Sequence, residues 1–214
     1  MTGIAAVLAT VGHALLLLSP TAEHIMAMPA VEPRRWTAED VRNLPDEPGT
    51  RFECVDGELL VSPGPQIPHQ VAVAELQGAL REYCRVGRVA IVLAGPGELE
   101  LDPFTLVQPD LFVLPRVNGR VPQSQEEAGS ALLLVEVLSP STARHDRVIK
   151  RQRYQRYGVE YWIVDLDARL VERWTPTNDR PEVVAQRLTW QLDGHSGVFT
   201  LELEPFFAEV LGER

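Results

Sequence analysis

The stretch that most constrains the fold is the apolar run LLLVEVL at residues 132–138, which carries one charged side chain, Glu136, near its middle. The break Ser139–Thr142 follows, and then a strongly basic segment, residues 143–157, with helix-like spacing. A short apolar run next to turn residues is typical of a buried strand. A carboxylate inside such a strand needs a metal, a cation or a proton beside it. The stretch therefore predicts a strand and a helix that meet at a buried acid.

The rest of the chain alternates between helix-like and strand-like patterns. Thr37 precedes Ala-Glu-Asp like an N-cap before an acidic first turn, which predicts a short helix over residues 37–43. Two β-prone runs flank Asp56-Gly57, a signal for a tight hairpin within residues 51–62. Residues 69–86 have the period of an amphipathic helix, and its predicted apolar face holds Val71, Ala74, Leu76, Ala79, Leu80 and Tyr83.

The predicted elements after residue 88 are mainly strands, and they indicate the fold class. A second hairpin is predicted around residues 166–168, and the segment at 115–130 reads as a polar loop. We expect an α+β fold with a mixed, mostly antiparallel sheet flanked by helices. The further predicted strands are 89–94, 98–101, 107–114, 161–165, 170–174, 183–190 and 198–203, and a closing helix is predicted at 205–211.

Length and hydropathy indicate how the chain is divided. Its 214 residues, 45% of them hydrophobic, suit one ordinary globular domain, which we assign to residues 31–214. Residues 1–30 form an apolar extension whose run at 4–18 is too short to span a bilayer comfortably. Three interpretations of the extension stay open: translation that starts at Met26 or Met28, an apolar helix, or a secretion signal without the usual positive charge.

Cysteine usage and charge limit the function classes. Cys54 and Cys84 lack metal-ligand spacing, so we expect small buried residues in a reducing compartment, which favours the cytoplasm, and we expect no membrane partner. The formal net charge of −10 argues against a protein that coats nucleic acid. It is compatible with an enzyme that contacts nucleic acid through a local basic face, and with a site that gathers carboxylates around a divalent cation.

Three carboxylates and one lysine form the candidate site. Asp110 follows Gln-Pro at the entrance of a predicted strand, Glu136 lies inside the central strand, and Glu58 follows the hairpin turn. If Asp110 and Glu136 lie on neighbouring strands, they can bind a hard divalent cation, which prefers oxygen ligands. Glu58 is expected to be a further ligand or the acid that orients the attacking water. Such a cation can activate water and neutralise a phosphate, and Lys150 can stabilise the developing charge. These parts are those of phosphodiester hydrolysis.

The same motifs resemble a known family. The chain looks like the Uma-two family of restriction endonuclease-like proteins, part of the PD-(D/E)XK nuclease superfamily. The resemblance implies a restriction-endonuclease-like fold, magnesium-dependent cleavage of DNA (with Mn²⁺ as a possible substitute) and a homodimer. The matching residues span roughly 36–210 and are Arg51–Glu58, Pro68–Gln70, Gln108–Asp110, Val135–Thr142, Asp146, Lys150, Tyr154 and Gly158–Asp165.

One position departs from the superfamily pattern. The E-x-K signature would place a lysine at Leu138, and relatives with the same E-x-L arrangement are thought to take the lysine from the following helix. Lys150 fits that role, and it is the only lysine among the twenty Lys and Arg residues. Lysine offers a compact ammonium where arginine offers a broad planar fork.

Other residues are assigned supporting roles. His69, Asp146, Arg147 and Arg151 are candidates for second contacts to the site or to substrate, and Asp146 lies four residues before Lys150, a spacing that can hold the lysine in place. The other arginines of this helix either face phosphate or simply form a solvated surface of the helix. Glu75 is a weaker candidate for an additional acid.

Each candidate also has an ordinary structural explanation. Glu136 could belong to a structural ion pair, Asp110 could cap a turn, Glu58 could be a solvated strand residue, and Lys150 could be an exposed helix lysine. The leading hypothesis is a Mg²⁺-dependent DNA endonuclease. The alternatives are a non-catalytic nucleic-acid-binding or assembly module on the same fold, and a metal phosphoesterase acting on RNA or small substrates.

Overall fold

The computed structural model of the protein describes residues 34–213, and its centre is a six-stranded sheet in the order β10-β9-β8-β7-β6-β3. The strands are β1 (Thr50–Val55), β2 (Glu58–Pro63), β3 (Ala90–Ala94), β4 (Leu99–Asp102), β5 (Thr105–Val107), β6 (Leu111–Pro115), β7 (Leu133–Val137), β8 (Glu160–Asp165), β9 (Leu170–Trp174), β10 (Glu182–Val184), β11 (Arg187–Trp190) and β12 (Phe199–Glu202). The helices are α1 (Ala38–Arg42), α2 (Ile67–Gly87), α3 (Gln125–Ala128), a π-helical turn (His145–Lys150), α4 (Arg151–Tyr157) and α5 (Leu203–Leu211).

Strand β7 is the middle of the sheet and is buried along its whole length. It pairs with β6 antiparallel and with β8 parallel. A parallel pair needs a crossover connection, and here the π-helical turn and α4 supply it. Helix α4 ends at Gly158, whose φ of +81° lies in the left-handed region that glycine adopts without a Cβ clash.

A second sheet of four strands, in the order β2-β1-β5-β4, is not hydrogen-bonded to the large sheet but packs against it. Strands β11 and β12 form a separate pair. The β1–β2 hairpin turns at Asp56 and Gly57, which have φ values of +53° and +87°. A Cβ on Gly57 would come within 2.3 Å of Arg35 Cγ, so both space and backbone conformation favour glycine there. The hairpin predicted from Asp-Gly is confirmed, with strand pairing from Thr50 to Pro63.

The two larger clusters of the core use opposite faces of β7, and a smaller third cluster contains Ala38, Val41, Cys54 and Leu106. Leu133, Val135 and Val137 pack in one cluster with α2, α5 and the β11–β12 pair. Leu134 packs in the other with residues of the second sheet and of α4. Glu136 belongs to the Leu134 face because side chains alternate along a strand. The acid therefore points towards the second sheet and the helical crossover.

The expected fold class is confirmed: the protein is α+β, with a mixed, mostly antiparallel sheet. Four predicted details are wrong. The span 183–190, expected as one strand, is β10 and β11 in different sheets, and residues 125–128 of the expected loop form α3. The single strand expected at 107–114 is two strands in different sheets, because Pro109 has no N–H to continue a ladder and the chain changes sheets there. On α2, Ala74 is exposed, and the buried stripe runs through Ala72, Leu76, Leu80 and Cys84.

Three further observations concern the N-terminal extension, membrane-spanning helices and the cysteines. The expected extension at residues 1–30 lies outside the described residues. No helix between residues 34 and 213 combines the length and apolar character needed to cross a membrane. Cys54 and Cys84 are both free and buried, as expected.

Candidate active site

Asp110 and Glu136 come from neighbouring strands. In the β6–β7 register Leu111 faces Val135, and continuing it by one position places Asp110 opposite Glu136. Both side chains are almost fully buried and line the same cavity of about 550 Å³. The cavity is edged by the loop after β2 and the loop after β7. The sequence-based expectation that these two carboxylates converge is therefore met by the geometry.

Asp110 is held by three donors. Arg51 Nη1 lies 3.1 Å from Oδ1, while the Val137 backbone N–H and His69 Nε2 each lie 2.9 Å from Oδ2. Burial by itself would favour the protonated acid. The hydrogen bond from His69, its charge and the charge of Arg51 outweigh burial and lower the pKa of Asp110 to about 2. Asp110 is therefore a carboxylate at every pH near neutrality.

Lys150 occupies the space between three acids. Its Nζ lies 2.8 Å from Glu53 Oε2, 2.9 Å from Glu136 Oε1 and 3.6 Å from Asp146 Oδ1. Burial alone would lower the pKa of Lys150, but the facing Glu136 and Glu53 carboxylates raise it well above its ordinary value. The ammonium stays charged, so Lys150 can donate hydrogen bonds and stabilise negative charge, but it cannot accept a proton.

The pKa values of two acids beside Lys150 are also raised, and here the cause is burial. Burial raises the pKa of Glu136 well above its ordinary value, although the Lys150 charge opposes that shift. Burial also raises the pKa of Asp146. Asp146 and Lys150 both come from the π-helical turn, a rare backbone form that is frequent at functional sites. The turn buries these two side chains and leaves Val148 exposed between them.

Glu53 is the acid that sequence reasoning missed, and Glu58 is the one that it placed wrongly. Glu58 is exposed at the turn end of β2 and does not line the cavity. Glu53, on β1, is buried and accepts the Gln108 backbone N–H at 2.7 Å besides pairing with Lys150. One signal was available: Glu53 shares a strand face with Val55, whose apolar side chain marks that face as inward. Glu75 is exposed on α2 and also lies outside the cavity.

The basic side chains of the crossover are mostly occupied by acids of the same chain. Arg147 lines the cavity but pairs with Asp165 at 2.6 Å and Glu172 at 2.7 Å. Arg151 lies over the Trp174 ring and bonds the Arg147 carbonyl, so it points along the helix rather than into the cavity. The remaining paired arginines are Arg153, with Asp102 and Asp56, and Arg156, with Asp56. The basic face expected from the sequence is therefore largely neutralised.

A comparison of the sequence with protein families gives a match that covers most of the chain and includes these residues. Residues 38–205 match the sequence profile of the Uma2 (Uma-two) family, described as "Putative restriction endonuclease". The chain belongs to the Uma2 family. The family resemblance expected from the motifs is thus confirmed, and the matched part of the chain holds Asp110, Glu136, Glu53 and Lys150.

A solved structure shares the fold of this Uma2 domain. It is described as the crystal structure of a putative nuclease belonging to DUF820 from Anabaena variabilis. The TM-score is 0.64 at 18% sequence identity, and the similarity covers 82% of this chain and 99% of that chain. Among curated proteins, no match to the chain was found. The structural likeness supports the restriction-endonuclease-like fold.

The donor set decides which metal the Uma2 site could hold. Among the residues that the structure describes, no three or more His, Cys, Asp or Glu side chains form a metal-binding group. Lys150 already lies among Glu53, Glu136 and Asp146. Asp110 and Glu136 both place carboxylate oxygens at one cavity, although Glu136 also pairs with Lys150 and Asp110 with Arg51 and His69. Mg²⁺ is commonly held by one or two carboxylates together with waters and substrate phosphates. The residues fit a Mg²⁺ ion that the substrate helps to hold.

Proposed function

We propose that this protein is a Mg²⁺-dependent endonuclease that hydrolyses phosphodiester bonds in DNA. The observation that carries the proposal is the placement of Asp110 and Glu136 on adjacent strands in one cavity, with the Lys150 ammonium 2.9 Å from Glu136. The Uma2 family description supports a nuclease of the restriction-endonuclease type. The description of the structural neighbour as a nuclease agrees with it.

In this proposal Asp110 and Glu136 hold Mg²⁺, with Mn²⁺ as a substitute. The bound ion would lower the pKa of a water and neutralise charge on the scissile phosphate. Asp110 is suited to this role because it is ionised at neutral pH. Burial raises the pKa of Glu136 even with Lys150 beside its Oε1, and a bound divalent cation would add the positive charge that favours its carboxylate form.

Lys150 supplies charge at the phosphate side of the site. Because its ammonium stays protonated, it orients the attacking water or stabilises the charge that develops on the phosphate oxygens. Glu53 and Asp146 are positioning residues, because their carboxylates lie 2.8 Å and 3.6 Å from the Lys150 Nζ and hold it in place. Arg51 and His69 position Asp110 in the same way. The expected homodimer and cytoplasmic location stay predictions, to be checked by light scattering and cell fractionation.

The non-catalytic alternative has one observation in its favour. The charged groups of the cavity already form ion pairs within the chain: Asp110 with Arg51, Lys150 with Glu53 and Glu136, and Arg147 with Asp165. A purely structural cluster would look similar. The two functions differ in what a cation does: only the nuclease needs Mg²⁺ at Asp110 and Glu136.

The deciding experiment incubates the full chain with circular single-stranded DNA and with supercoiled plasmid, with EDTA, Mg²⁺ or Mn²⁺. We expect metal-dependent linearisation or nicking by the parent, and a loss of about 100-fold or more in Glu136→Gln, the scale at which one electrostatic group at a reacting centre contributes. Glu75→Gln is the matched control, since Glu75 is an exposed acid outside the cavity. If the parent cuts neither DNA with either metal, or if Glu136→Gln cuts as fast as the parent, the nuclease proposal is wrong.

A further inference from the structure

The proposed reacting groups lie at the bottom of a recess. Asp110 and Lys150 are each 3% exposed, and Glu136 is 2% exposed. The cavity of about 550 Å³ above them falls in the range of pockets that enclose one small organic molecule, about 300–1,000 Å³. A phosphate can reach the acids only by entering this recess.

A second cavity of about 370 Å³ adjoins the first. Its wall includes Gln70 and Val73 of α2 and Pro96 of the loop after β3. The two cavities share five lining residues: Arg51, Gly64, Pro65, His69 and Asp110. Asp110 therefore lines two adjoining pockets, and the volume of each lies within the range of pockets that hold a small organic molecule.

The surroundings offer little positive charge to a rigid polyanion. Arg51 and Arg147, which line the larger cavity, are paired with Asp110 and with Asp165 and Glu172. The chain as a whole carries a net charge of −10. Proteins that grip duplex DNA do so mainly by neutralising many phosphates with Lys and Arg. The arginines that line the larger cavity are therefore already paired with acids of the chain before a duplex approaches.

We infer that the site accepts an unpaired DNA strand rather than an intact duplex, an inference that rests on the proposed nuclease function. A duplex is a stiff rod, and enzymes that need a nucleotide in a recess must separate it from its partner. A single strand can bend so that its scissile phosphate meets Asp110 and Glu136. The nucleotides on either side of that phosphate then occupy the larger and the smaller cavity.

Binding measurements test the inference independently of cleavage. Fluorescence anisotropy of one labelled oligonucleotide, single-stranded or annealed to its complement, is recorded with the full chain in Ca²⁺, and a gel checks that the DNA stays intact. We expect the single strand to bind at least about tenfold more tightly, because the duplex must first be unpaired. Equal or tighter binding of the duplex, or no binding of either, overturns the inference.

Cleavage in Mg²⁺ separates this inference from the proposed function. We expect the single strand, and the unpaired arm of a partly paired substrate, to be cut faster than the duplex. Equal cleavage rates would overturn the strand preference and leave the nuclease function standing. Preferential binding of the single strand without cleavage in Mg²⁺ or Mn²⁺ would leave the strand preference standing and overturn the nuclease function.

A pair of matched variants tests the smaller cavity. Gln70 is exposed on α2 and lines that cavity, so Gln70→Glu should add a negative charge there without disturbing the core. We expect single-strand binding to weaken about fivefold or more, because the carboxylate repels the phosphate backbone. Gln77→Glu, two turns further along α2 and outside both cavities, should bind like the parent. Thermal unfolding of both variants verifies that they fold, and parental binding by a folded Gln70→Glu would remove the smaller cavity from the site.

Discussion

Lys150→Met removes the cation that the buried acids share. The side chain of Lys150 is 4% exposed, and its Nζ contacts Glu53 at 2.8 Å and Glu136 at 2.9 Å. Methionine has a similar length and an unbranched shape, so the substitution takes away charge and hydrogen bonds with little change in packing. Three carboxylates, those of Glu53, Glu136 and Asp146, are then left without the ammonium that faces them.

The expected cost follows from that geometry. Removing one partner of a buried ion pair costs about 3–5 kcal/mol, because the remaining charge is buried without compensation. For a domain of this size, that loss lowers the midpoint of thermal unfolding by roughly 6–20 °C. Exposed ion pairs contribute about 0–1 kcal/mol, so the measured loss of stability distinguishes a buried Lys150 ion pair from an exposed one. The variant should still fold, since natural domains have about 5–15 kcal/mol of stability.

The assay is chemical denaturation of the full chain at pH 7 and at pH 5. Burial already raises the pKa values of Glu136 and Asp146, and Lys150 opposes the rise. Without Lys150 these two pKa values rise further above those in the unfolded state, so the folded variant binds protons more readily. Stability linked to a raised pKa is recovered as the pH falls, and the deficit should shrink at pH 5. Arg144→Met, a change at an exposed cation of the same segment, should alter the free energy of unfolding by less than about 0.5 kcal/mol. A loss below about 1 kcal/mol for Lys150→Met, or a loss independent of pH, would refute the reasoning.

Two other outcomes are expected. The pKa of Asp110, about 2, lies below its ordinary value of 3.8, so its ionised form stabilises the fold above pH 4 and this contribution is lost as the pH falls towards 2. Asp110→Asn should cost about 2 kcal/mol at pH 7, and the difference from the parent should narrow by about 1 kcal/mol between pH 5 and pH 3; a constant difference in denaturation experiments would contradict it. Burial raises the pKa of the Cys84 thiol to about 11 and also raises that of Cys54, so a thiol reagent at neutral pH should label neither cysteine until denaturant is added. Rapid labelling of the native chain would show that these side chains are accessible.

Local patterns in the sequence were enough to predict most elements. The Asp-Gly turn at 56–57 predicted the first hairpin because few other residue pairs adopt its positive φ values. The run 132–138 predicted the central strand because a short apolar run next to turn residues has the length of a buried strand rather than of a helix. Asp110, Glu136 and Lys150 were found because each is unusual where it stands: an acid after Gln-Pro, an acid in an apolar strand and a lone lysine.

Pairings between distant segments were decided only by the tertiary structure. Glu53, rather than Glu58, reaches Lys150 because the β1–β2 hairpin turns the Glu53 face towards the π-helical turn, a docking that no local pattern encodes. Arg147, Arg153 and Arg156 suggest a phosphate-binding surface in the sequence, but folding brings acids from β4, β8, β9 and the β1–β2 turn against them. The sequence by itself thus determined which residue types enter the site, since local propensity and burial depend on neighbours along the chain. Which charges remain available depends on contacts between strands and helices far apart in sequence, and only the folded chain sets those.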